Sequence, residues 1–117
     1  MSSLVPVRDV PRFGGPIPDR WGYTGLVVFA WGSRKAAVNL KKHGVDFREA
    51  ATVFDDPLST TFPDVDHSTA ERRFVIVGTS APGRVLVVAY TEQGETVRII
   101  SARTATRRER TFYEEGS

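Results

Sequence analysis

Apolar and polar residues keep no sustained period over residues 1–25, and from residue 26 onward they do. Residues 26–31 form a β-rich run that stops at Gly32. Ser33 is then placed to cap a helix over residues 34–43, with Ala36, Ala37 and Leu40 on one side. Gly44 ends it as the residue that accepts positive φ. Asp46 and Glu49 make a capping-box pattern for a second helix, with Val45 and Ala50 at the hydrophobic-staple positions. Its apolar residues Phe47, Ala50, Ala51 and Phe54 recur at i, i+3, i+4 and i+7, and Asp56 with Pro57 closes it.

The second half alternates instead. Residues 58–62, 72–79, 85–91 and 96–101 are predicted strands, with turns at residues 81–83 and 92–95. Residues 85–89 are apolar on both faces, which predicts the central strand. Residues 104–115 predict a last short helix, with Thr106 and Glu109 as a second capping box. The order β-α-α-β-β-β-β-α predicts an α+β domain: two N-terminal helices and a C-terminal helix on an antiparallel sheet of four to five strands. Residues 1–25 hold four of the seven prolines together with Gly14, Gly15, Gly22 and Gly25. They read as a Pro/Gly-rich arm, and residues 26–117 as the domain.

Composition narrows the function classes. A chain of 117 residues suits one domain with one core. The absence of cysteine excludes disulfides, thiolate metal sites and cysteine nucleophiles, and fits a reducing cytoplasm. Pro6, Arg8 and Asp9 interrupt the N-terminus before a signal peptide could form, and no apolar run is long enough for a membrane helix. The expectation is a cytoplasmic protein with no membrane partner. Net charge is only +2, but it is unevenly placed. Residues 29–54 carry five Lys/Arg against two acids, and residues 55–74 carry five acids against two arginines. A basic portion of this kind can meet a polyanion, and an ordinary solvated face has the same composition.

Several separate stretches, in order, carry a family resemblance. They are Phe29 to Trp31, Lys35, Asn39 to Phe47, Glu49 to Pro57, Asp64, Asp66, His67, Glu71 to Phe74, Gly78, Val87 to Glu92, Arg98 to Arg103, Ala105 to Arg110, and Tyr113 with Glu114. Residues 27–115 thereby resemble the BrnT toxins of type II toxin–antitoxin systems. The resemblance implies a RelE-like fold, ribonuclease activity that inhibits translation, and neutralisation by a BrnA-like antitoxin with a ribbon-helix-helix part. It also implies that operator DNA is bound only through the antitoxin complex. The chain departs from the pattern on either side of Trp31. The family usually has an acid after the first tryptophan, where this chain has Gly32, and often another at the position of Ala30.

RNA cleavage without a metal needs a base for the 2′-hydroxyl, an acid for the leaving oxygen and cations for the phosphorane charge. Arginine suits the last role because its planar fork grips phosphate bidentately. Arg73 and Arg103 are the first choices for it, and Arg98 on the same sheet is an RNA contact. Strict alternation puts Arg98, Ile100 and Ala102 on one face and Val97, Ile99 and Ser101 on the other. The plain alternative for each arginine is an ion pair with Glu71, Glu92 or Glu109. His67 or Glu71 would carry protons, the alternative for the histidine being a solvated loop. His43 reads as a helix C-terminal cation. Lys35 and Lys42 share a helix face suited to phosphates, and Tyr90 or Tyr113 could stack on a base, with Trp31 third. Asp64, Asp66 and His67 read as a hydrated turn, so neither a metal nor another cofactor is expected. A metal-dependent nuclease would instead build a carboxylate pocket there. The alternative to an enzyme is a non-catalytic RNA- or protein-binding module, a degenerate toxin acting through its antitoxin.

Overall fold

The computed structural model of the protein describes residues 28–64 and 72–116. The apolar run lies within β4 (Val85–Gln93), the middle strand of a five-stranded sheet. Its antiparallel neighbours are β3 (Arg73–Thr79) and β5 (Thr96–Thr104). β2 (Thr60–Pro63) adds to β3 antiparallel, and β1 (Val28–Ala30) adds to β5 in parallel. The sheet is therefore mixed, in the order β1-β5-β4-β3-β2, where alternation alone predicted an antiparallel one. The parallel pair is possible because about 65 residues of chain, far more than a crossover needs, separate β1 from β5.

α1 (Ser33–His43) and α2 (Phe47–Thr52), continued by a 3-10 turn at Val53–Asp55, lie beside one face of the sheet. Phe47, Ala50 and Val53 meet Leu86, Val88, Tyr90, Val97, Ile99 and Ala102 there, all buried. Phe29, Phe54 and Phe74 extend this core through edge and stacked contacts among themselves and with Tyr90. Gly78 is where the 3-10 turn comes closest, since a Cβ there would stand 2.9 Å from both Val53 and Ser59.

The caps differ in detail from expectation. Gly32, not Ser33, is the N-cap of α1 and makes no side-chain bond, whereas Gly44 takes φ 70° and closes the helix onto Leu40 as expected. Asp46 caps α2 through the Arg48 N–H, but the Glu49 carboxylate faces Arg84 and Ser80. α3 (Arg107–Glu114) has its complete capping box, Thr106 with Glu109. The face of α1 also turns out rotated. Ala37 and Leu40 are exposed, and the one buried residue is Asn39.

The cause lies at the sheet edge. β1 pairs with the first residues of β5, and among the described residues the rest of that edge has no strand partner. Asn39 takes the place of a strand. Its amide donates to the Ala102 carbonyl at 2.8 Å and to the Val45 carbonyl at 3.0 Å, and its oxygen accepts the Ala102 N–H at 3.1 Å. Buried backbone groups must be paired, so the polar residue faces inward.

Candidate functional site

β5 contains a bulge. Ala89 pairs with Ser101 but Tyr90 pairs with Ile99, so Ile100 is the extra residue. From there on, strict alternation fails. Ala102 joins Val97 and Ile99 in the core, which corrects the face assignment made from alternation. Arg98 and Arg103 are an odd number of residues apart, yet the bulge turns both to the face away from α2. Bulges re-aim side chains in this way at rims and functional surfaces.

Arg73 joins them. It lies opposite Thr91, which in turn lies opposite Arg98, so the three form one row across β3, β4 and β5. Two strand spacings put the Arg73 and Arg98 backbones about 10 Å apart, within the combined reach of two guanidinium groups around a phosphate. Thr91 between them is fully buried, and its hydroxyl makes no hydrogen bond among the described residues. Arg73 approaches Asp64 at 4.0 Å, and Arg72 lies over the Phe74 ring with 5.3 Å to its centroid.

Arg103 is further off, four residue pairs along the strand and roughly 16 Å from Arg73 between backbones. It forks onto Glu109, its two terminal nitrogens 2.8 and 2.9 Å from the two carboxylate oxygens. That contact, with help from Thr106, holds the Glu109 carboxyl down to about 2. Of the two arginines expected to clasp one phosphate, the geometry thus puts Arg73 beside Arg98 and gives Arg103 a second duty in positioning α3.

The remaining candidates divide. Lys35 and Lys42 are exposed on α1 and line one groove. Tyr90 is a correction. It is 5% exposed and wedged between Phe54 and Phe74, and burial pushes its hydroxyl above the ordinary tyrosine range, so it offers no face to a base. Trp31 packs edge-on against Phe47. Tyr113 donates to Asp56 and shares a bond with Thr79, which ties α3 to the sheet. His67 and Glu71, like Asp66 and the arm, lie outside the described residues.

Two polar clusters had no counterpart in the sequence reading. Arg84 grips Glu49 at 2.7 and 3.0 Å while Ser80 donates to the same carboxylate, so α2 is latched to the β3–β4 turn. Bonds from Arg84 hold Glu49 below the usual carboxylate range. Burial pushes the Asp56 carboxyl up, but the Thr79 N–H, Tyr113 and the Leu58 N–H together bring it below its ordinary value. Residues drawn from α2, a turn and α3 build these clusters, and no local spacing signals them. They give Glu49, Asp56 and Tyr113 a structural role.

The departure at Gly32 also has a location. A Cβ there would stand 4.0 Å from the Arg98 guanidinium. A carboxylate at this position would approach that cation, and glycine removes it.

These features define a small α+β protein with an arginine row on one sheet face and a basic helix along its edge. Residues 31–109 match the family described as the ribonuclease toxin BrnT of type II toxin–antitoxin systems, and the chain belongs to that family. Among solved structures, the crystal structure of the Brucella abortus ribonuclease toxin BrnT is similar in fold. It is 24% identical with a TM-score of 0.52, over 66% of this chain and 94% of that one. No curated protein matches. No helix among the described residues is long and apolar enough to cross a membrane.

Proposed function

We propose that this chain is a metal-independent endoribonuclease toxin that inhibits translation by cutting RNA, with the arginine row as its phosphate-binding surface. In this reading Arg73 and Arg98 hold the scissile phosphate and Arg103 meets a neighbouring one. His67 or Glu71 moves the protons. The observation that carries it is the bulge in β5, which brings three arginines onto one face that alternation would have split. Negative charge grows on the phosphorane, so cations fixed beforehand contribute more to the transition state than to the ground state. The RelE-like relationship, a cytoplasmic location and a BrnA-like ribbon-helix-helix antitoxin, through which operator DNA is bound, belong to the same reading. Membership of a type II toxin–antitoxin family supports the antitoxin.

The test is incubation of the purified chain with total RNA, with and without EDTA. Fragmentation unchanged by the chelator is the expected result. Loss of cleavage with EDTA would move the chemistry to a metal. A chain that binds RNA without cutting it would establish the second reading, a non-catalytic binding module. One observation favours that reading: the Arg103 fork is already occupied by Glu109.

A further inference from the structure

α1 carries Arg34, Lys35, Lys41, Lys42 and His43 in eleven residues, with no acid among them. Lys35, Val38, Asn39 and Lys42 fall at i, i+3, i+4 and i+7, a single stripe. That stripe borders a groove of about 320 Å³, closed on its other side by Ile100 and Ser101 of the bulge. Arg34 and His43 flank it, and no lining residue is acidic. The apolar surface comes from Val38, which is 57% exposed, and the half-buried Ile100. Ser101 follows Arg98 by three residues on the same strand and pairs with Ala89, on the sheet face that bears the arginine row. Through Ser101 the groove therefore reaches the sheet face that bears that row.

We infer that this groove is a second, non-catalytic binding track for single-stranded RNA, guiding the strand along α1 to the arginines. The inference rests on the RNA-cleaving reading and deepens it. From Lys35 to Lys42 the helix rises about 10 Å, enough for two consecutive phosphates of an extended strand. Val38 and Ile100 offer an apolar seat to one unstacked base, which a duplex does not present. The bulge thus has two consequences: it aligns the arginines and supplies Ile100 to the groove.

Binding of a fluorescent 16-nucleotide 2′-O-methyl RNA, which lacks the attacking hydroxyl, tests this by anisotropy across a salt series. The wild type is compared with Lys35→Gln/Lys42→Gln and with a charge-matched control outside the groove, Lys41→Gln/Arg48→Gln. Each lost phosphate contact flattens the slope of log affinity against log salt by about 0.7. The groove pair should flatten it by about 1.4 and weaken binding on the order of tenfold at 0.1 M salt, and the control pair should do neither. Equal losses in both pairs would reduce the groove to net charge and overturn the inference. An unchanged groove pair with normal wild-type binding would overturn the groove and leave the cleavage reading standing. Failure of the wild type to bind at all would overturn both. Tighter, Lys35- and Lys42-dependent binding of a 16-base-pair DNA duplex would assign the groove to DNA instead.

Discussion

Asn39 shows how one polar residue can decide the orientation of a helix. Leu40 and Ala37 are the better hydrophobes, yet they face solvent because the backbone of the buried Ala102 needs a partner on the strand edge. Side-chain hydrophobicity was legible in the sequence, and the vacancy on the edge of β5 was not, because it depends on where a three-residue strand ends. Asn39→Ala leaves a buried N–H and two buried carbonyls without the amide. At about 1–3 kcal/mol for a buried group left unsatisfied, the loss should be roughly 3 kcal/mol. Urea denaturation measures it as a lower midpoint at unchanged slope. An unfolding free energy within about 0.5 kcal/mol of the wild type would show that water replaces the amide. Tyr90 carries the converse lesson. An aromatic beside Thr91 and Glu92 reads as exposed, but the rings of Phe54 and Phe74 enclose it from elements the local sequence does not reveal.

Among the elements, α3 depends most on charge. None of its residues is buried, and it is held by the capping box, the Arg103–Glu109 fork and the Tyr113–Asp56 bond. Its start was legible because the cap is local, with Thr106 and Glu109 three residues apart. The fork was open to suspicion only as one of several ion pairs for Arg103. Glu109 titrates at about 2 in the folded chain against an ordinary 4.5. A depressed carboxyl stabilises fully above its unfolded value and loses that contribution as pH falls from about 4.5 towards 2. Glu49 and Asp56 are lowered as well and act in the same sense. The thermal midpoint should therefore fall between pH 6 and pH 3. Glu109→Gln should melt below wild type at pH 6, with the gap narrowing at pH 3 and closing towards pH 2. A gap that persists undiminished to pH 2 would mean that the carboxylate's charge is not what holds α3.

For the molecule as a whole, the order of elements and the central strand followed from periodicity, because each reflects local burial. What escaped was the geometry between distant segments: the parallel docking of β1, the Glu49–Arg84 latch, and above all the bulge. Ile99 and Ile100 are identical in type, so nothing in composition marks one as the extra residue, yet that single insertion decides which arginines share a face. The candidate site was legible as a set of arginines on one sheet, and their partnership was not. Arg73 with Arg98, rather than Arg73 with Arg103, is the pair the register brings together.

That pairing is tested most directly by single-turnover cleavage of a short RNA by the purified full chain, comparing wild type with Arg73→Ala, Arg98→Ala and Arg98→Lys. Each alanine variant should be slower by roughly two to three orders of magnitude, the cost of losing one preorganised donor. Lysine at 98 should restore little, since an ammonium cannot copy a forked contact. All three variants should keep the wild-type melting temperature to within about 3 °C, as loss of a partly exposed side chain implies. Cleavage at the wild-type rate by Arg73→Ala and Arg98→Ala would contradict the account, because the arginine row would then take no part in the reaction.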